Sequence, residues 1–175
     1  MQFDFYDIIT ILSAYLIGNI SPAIILGKIN GIDIKKEGSG NAGTTNALRV
    51  LGKKAAVITL VVDILKGVVA VKFGMMLGYE TGIWCALAVF CGHIWPCLYR
   101  FKGGKGVATA FGAILSVNWL LALTALAIVA CGLLISKRMS VGSLLGAATF
   151  PVACWFMEKD FIIVGCIMAA IVLIK

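Results

Sequence analysis

Two glycine-rich segments hold most of the residues in this chain that can do chemistry. The first reads Gly38-Ser39-Gly40-Asn41-Ala42-Gly43-Thr44-Thr45-Asn46 and is followed by Arg49. The second reads Phe101-Lys102-Gly103-Gly104-Lys105-Gly106-Val107-Ala108-Thr109. Glycine lets several backbone N–H groups converge on one anion, and Lys or Arg supplies the countercharge. Two such segments predict two sites for phosphate-type groups.

In the first segment Ser39, Asn41, Thr44, Thr45 and Asn46 offer hydrogen bonds on a loop that opens a short helix. Arg49, near that helix's first turns, can grip a phosphate with two parallel bonds. Gly38, Gly40 and Gly43 also spell a dinucleotide fingerprint, but no strand precedes them and no βαβ unit surrounds them. A flexible loop with helix caps accounts for the same residues. The second segment is no Walker loop, because its lysines are not followed by Ser or Thr. The apolar run from Val107 places its glycines at a helix N-terminus, where the helix dipole, free N–H groups and Lys105 would meet one anion. A cationic stop between two spans is the competing account.

Three further groups stand out. His93, the only histidine, lies in Gly92-His93-Ile94-Trp95-Pro96. It can act as a general base toward a hydroxyl, or simply hydrogen-bond a neighbouring helix. Asp63 and Lys66 lie one turn apart inside an apolar run. Ions there are functional candidates, and a local ion pair facing the bundle interior is the alternative. Ser143, after Lys137-Arg138, either adds a hydroxyl to the same cavity or lets helices pack closely.

The elements that must position these residues are membrane helices. The chain has 175 residues, of which 61% are hydrophobic and 13% charged, and its mean hydropathy is +1.04. Soluble domains carry about 25% charged residues, so an integral membrane protein with a single domain over residues 1–175 follows. Apolar stretches at 5–27, 55–77, 83–99, 107–136, 140–157 and 161–174 can form spans. Ser21-Pro22 can kink the first. Asp4 and Asp7 stand where a signal peptide would be cationic, so the first stretch is expected to remain as a helix. The six cysteines lie in or beside apolar stretches without metal-ligand spacing, so no disulfide and no metal are expected.

The net charge is +7. Its basic residues sit in a few short loops, which the positive-inside rule explains; nucleic-acid binding is not expected. Lys28, Lys35, Lys36, Arg49, Lys53 and Lys54 share one loop, Arg100, Lys102 and Lys105 another, and Lys137 and Arg138 a third. The N-terminus is then outside and the glycine segments face the cytoplasm. Residues 107–136 must cross an even number of times, which predicts a break near Asn118. An all-α bundle of about seven transmembrane helices results.

Taken together, these segments resemble the bacterial acyl-phosphate:glycerol-3-phosphate acyltransferases. Residues 39–46 with Arg49 look like that family's first signature, and Gly92-His93-x-x-Pro96 with residues 101–109 like its second. The resemblance implies a seven-helix protein of the bacterial inner membrane, with its site toward the cytoplasm. It implies transfer of a fatty acyl group from acyl phosphate to the 1-hydroxyl of glycerol 3-phosphate, giving lysophosphatidic acid and phosphate for phospholipid synthesis, without a cofactor. By position, Ser39, Arg49 and Lys105 match groups needed for activity, and residues 103–106 match the substrate-phosphate loop. Ser143 matches a serine near the active site. Gly40, Asn41, Thr45, Asn46, His93, Lys102, Gly103, Gly104, Gly106 and Thr109 complete the candidate substrate-binding set. Family members usually carry a third motif, with a His and an Asn, in a cytoplasmic tail; the sequence here reaches Lys175. A transporter of a phosphorylated solute is the rival from another class, and it needs a polar path across the bilayer that the spans supply only at Asp63, Lys66, Lys72 and Asn118.

Overall fold

A computed structural model describes residues 3–175. Nine α-helices and two short 3-10 turns make up the regular structure among these residues: α1 (Phe5–Gly18), α2 (Pro22–Ile29), α3 (Thr44–Leu51), α4 (Lys53–Met75), α5 (Tyr79–Ile94), α6 (Val107–Val117), α7 (Trp119–Ser136), α8 (Met139–Met157) and α9 (Ile162–Ile174). The turns lie at Cys97–Tyr99 and Lys159–Phe161. The first apolar stretch breaks between Gly18 and Pro22 into α1 and α2, and α3 is the short helix expected after the first glycine loop.

Among the described residues, four segments are long and apolar enough to cross a membrane: Phe5–Ile29, Tyr79–Tyr99, Trp119–Ser136 and Met139–Met157. Helix α4 is 23 residues long, about 34 Å, but carries Asp63, Lys66 and Lys72. The expected break at Asn118 is present. Asn118 leaves the helical conformation and its side-chain oxygen accepts the N–H groups of Leu120 and Leu121 at 3.0 Å each, so the residue that ends α6 caps α7. Pro96 stops α5 by a different route: the residue before a proline is pushed out of the helical region, and Trp95 has φ -121° and ψ 64°.

Close helix crossings set the positions of the polar residues. Gly18 of α1 and Gly92 of α5 meet backbone to backbone: a Cβ added to Gly18 would lie 2.9 Å from the Gly92 Cα. Gly67 of α4 meets α6, where an added Cβ would lie 2.8 Å from the Ala113 nitrogen. In a bilayer, such small-residue contacts supply the packing that apolar burial gives in water. The largest buried cluster runs through α1, α4, α5 and α6 and on to α7–α9, with Phe90, Ile94, Leu121 and Phe161 fully buried in it. A smaller one, Ala23, Ile24, Ile34, Ala42 and Ala47, seats the first glycine loop against α2 and α3.

Candidate active site

The first glycine loop is folded by one residue. Asn46, fully buried in α3, accepts the Ser39 N–H at 2.8 Å and donates to the carbonyls of Ile34 at 3.1 Å and Glu37 at 3.0 Å. All of its side-chain atoms are therefore engaged with the loop backbone. Gly38 and Gly40 turn the chain with φ of 61° and 69°, values open to glycine without steric cost. The result presents Ser39, Gly40 and Asn41 outward. Thr44 Oγ1 is buried with no hydrogen-bond partner among the described residues.

The second loop is held on the end of α5. The Gly103 N–H donates to the Ile94 carbonyl at 3.1 Å and the Gly104 N–H to the His93 carbonyl at 3.2 Å. These two amides are thus engaged by protein, which corrects the expectation that they converge on an anion. From Lys105 onward the next amide with a backbone acceptor is Ala110, donating to the Gly106 carbonyl at 2.7 Å. Gly106 caps α6 with φ of 77°, as the sequence placed it. The N–H groups of the first turn of α6 and the Lys105 side chain are the donors this loop has left to offer.

The two loops share one cleft of about 320 Å³, lined by Ser39, Gly40, Asn41, Lys102, Gly103, Lys105 and Lys175. Its wall holds three lysines and no carboxylate side chain. Lys35 links the first loop to the turn before the second: its Nζ donates to the Tyr99 carbonyl at 3.1 Å and stands 5.4 Å from the Tyr99 ring centre. Burial lowers the Lys35 pKa below the usual lysine value; Asp33 opposes this, while Lys102, Lys28 and Arg100 push the same way. Cations are crowded on this face.

Arg49 lies elsewhere. It lines a neighbouring cleft of about 550 Å³ with Gly31, Ile32, Asp33, Glu37, Gly38 and Val50. The clefts adjoin along the chain at Gly38 and Ser39, but Arg49 does not join Lys105 in one cradle. It forms no ion pair among the described residues. Asn46 and Thr109 are fully buried, so neither reaches a cleft wall; Asn46 shapes the loop and Thr109 faces His93. Thr45 is exposed on α3 outside both cleft linings. Ser143 donates to the Ser140 carbonyl at 2.9 Å on its own helix, in a helix packed on α7 and α9, and it lines neither cleft.

Beneath the second loop the structure gathers residues that the sequence keeps apart. Lys66 Nζ is 2.7 Å from Asp63 Oδ1 and 2.8 Å from His93 Nδ1. The same ammonium donates to the carbonyls of Gly18 at 3.1 Å and Ile20 at 2.7 Å, where the break between α1 and α2 leaves acceptors without helical partners. The i,i+3 spacing showed the Asp63–Lys66 pair; only the helix crossings bring His93 to it.

Comparison with known proteins gives a consistent picture. The family model described as glycerol-3-phosphate acyltransferase matches residues 8–175. A glycerol-3-phosphate acyltransferase of Thermoanaerobacter pseudethanolicus is 44% identical over 97% of this chain and 88% of its own. One from Clostridioides difficile is 45% identical over 87% and 78%. The crystal structure of PlsY (YgiH), an integral membrane glycerol 3-phosphate acyltransferase in its glycerol 3-phosphate form, superposes with a TM-score of 0.92 at 28% identity, covering 97% of this chain and 88% of that one. Its lysophosphatidic acid form gives a TM-score of 0.88. A multi-pass helical bundle whose two signature loops meet in one cationic cleft, matched over nearly its whole length, belongs to the glycerol-3-phosphate acyltransferase family.

Proposed function

We propose that this protein transfers a fatty acyl group from acyl phosphate to the 1-hydroxyl of glycerol 3-phosphate, at the cytoplasmic face of a bacterial inner membrane. The hydroxyl oxygen attacks the acyl carbonyl, the bond from that carbon to the phosphate oxygen breaks, and the hydroxyl proton leaves with the phosphate. Lysophosphatidic acid and inorganic phosphate are the products. The observation that carries this reading is the shared cleft: Ser39 and Asn41 of one loop face Lys102 and Lys105 of the other. The forms in which PlsY was crystallised, with glycerol 3-phosphate and lysophosphatidic acid, match one substrate and the product.

Acyl phosphate already has a good leaving group, so positioning and charge stabilisation can supply most of the rate. Lys105 with the first turn of α6 neutralises one phosphate. Arg49, in the adjoining cleft, serves the second, and Ser39 lines the cleft of Lys105 next in sequence to Gly38 of the Arg49 cleft. The apolar helix surfaces hold the acyl chain. Purified protein given acyl phosphate and glycerol 3-phosphate should release phosphate and form lysophosphatidic acid one for one. Solute flux in liposomes without phosphate release would replace this reading with transport.

A further inference from the structure

The buried cluster under the second loop takes no part in the transfer as drawn above, yet it touches the loop directly. Lys66 is 4% exposed, Asp63 1% and His93 4%. An ammonium group has hydrogens to give and no lone pair. His93 Nδ1 lies 2.8 Å from Lys66 Nζ and 3.3 Å from Asp63 Oδ1; the shorter contact, to a group that can only donate, calls for the ring nitrogen's own lone pair. Asp63 Oδ1, at 2.7 Å, is the counterion of the Lys66 ammonium, and Thr109 Oγ1 lies 3.2 Å from the same ring nitrogen. The proton of the neutral imidazole then belongs on Nε2.

Nε2 points at the glycine loop. A Cβ added to Gly104 would land on His93 Nε2 and lie 2.9 Å from the carbonyl oxygen of Ala42. The Gly104 N–H donates to the His93 carbonyl at 3.2 Å. Gly104 is clasped between the ring of His93 and the backbone of the first signature, and Lys105 follows it.

We propose that Lys66, with Asp63 as counterion, locks His93 in the neutral Nε2–H form, and that this pinned ring sets the height of Gly104 and hence of Lys105. His93 is a positioning residue for the phosphate loop and not the general base. The lone pair of Nδ1 is engaged by an ammonium and Nε2 carries a hydrogen, so neither nitrogen can take a proton from a substrate hydroxyl. The kinetic part of this inference rests on the acyl-transfer reading; the tautomer does not.

His93 is the only histidine, so protein labelled with 15N-histidine and reconstituted in lipid gives the spectrum of a single ring. The expected result is an unprotonated Nδ1 and a protonated Nε2, with the pattern lost in Lys66→Met. A protonated Nδ1, or an imidazolium, overturns the proposal. In kinetics, His93→Asn retains an oxygen able to accept from Lys66 and should recover much of what His93→Ala loses, about 10²-fold in kcat/KM. The loss should fall mainly on KM for glycerol 3-phosphate. A general base predicts instead that both variants lose about 10²–10⁴-fold in kcat, and that result would also overturn the proposal. If wild-type protein shows no acyl transfer, the acyl-transfer reading fails, and the ring spectrum decides the inference alone. The wild-type spectrum decides it likewise if the variants do not fold.

Discussion

Replacing Asn46 tests whether the first loop binds substrate through this side chain or is merely built by it. Asn46→Ala removes three hydrogen bonds, to Ser39, Ile34 and Glu37. Each is worth about 1 kcal/mol net, and a carbonyl left buried without a donor costs about 1–3 kcal/mol. Ile34 is 1% exposed, so its carbonyl bears that penalty, whereas Ser39 and Glu37 are exposed and water replaces their bonds. The ordered loop therefore loses about 2–4 kcal/mol, at least a 30-fold shift in its equilibrium with disordered forms. Apparent substrate affinity falls with the binding-competent fraction. Asn46→Asp should be worse than Ala, because it keeps the acceptor for Ser39 but sets an oxygen against two carbonyls. The assays are thermal unfolding in detergent, limited proteolysis of the loop, and KM for glycerol 3-phosphate. The expected order is wild type, then Ala, then Asp in all three. If Asn46→Ala raises KM while unfolding and proteolysis stay at wild-type values, the side chain contacts substrate and this reasoning is wrong.

Three further predictions concern the two loops and the clefts beside them. Gly104→Ala puts a methyl group against the His93 ring and the Ala42 carbonyl, an overpacking of about 1–3 kcal/mol; kcat/KM should fall, and pairing it with His93→Ala should restore part of the unfolding temperature. Lys105→Ala and Arg49→Ala should each abolish turnover with the fold retained in detergent, and near-normal activity of both would remove the site assignment. For Lys35, folding lowers the pKa from 10.5, so in the alkaline window below that value the unfolded chain binds more protons and stability gains with rising pH. Lys35→Gln should flatten that part of the unfolding-temperature profile; an unchanged slope would show that the residue is not desolvated.

What the sequence made legible follows from the range of each interaction. The break at Asn118 was visible because one polar residue interrupts an apolar run and because the basic loops on either side must share a face. The start of α6 was visible because Gly106 ends the loop and Val107 begins an apolar run. The role of Asn46 was not legible: an amide in a glycine-rich loop looks like a ligand donor, and only its burial and its three backbone partners reveal otherwise. Gly103 and Gly104 misled for a related reason. Their sequence looks like an anion nest, but their amides are taken by carbonyls at the end of α5, and their missing side chains serve clearance. Arg49 follows the first loop closely in sequence, yet α3 carries it to a different cleft from that of Lys105.

The link between helix crossings and chemistry gives a prediction at residues that touch no substrate. Lys66 and Asp63 ride on α4, Thr109 on α6 and His93 on α5, so their contacts exist only while these helices stay close. Gly67 permits the approach of α4 to α6: an added Cβ would press on the Thr109 carbonyl and lie 2.8 Å from the Ala113 nitrogen. Backbone cannot yield as a side chain tip does, so Gly67→Ala must separate the helices or tilt one against the other. Gly132 offers a matched control between α7 and α8, where an added Cβ would lie 2.8 Å from the Gly142 Cα, outside both cleft linings. Both variants should lower the unfolding temperature. Only Gly67→Ala should also raise KM for glycerol 3-phosphate in the folded fraction, because only that crossing carries the ring beneath Gly104. Equal KM values would mean that the phosphate loop keeps its position without the α4–α6 contact, and the chain of support from α4 through His93 to Lys105 would then be cut.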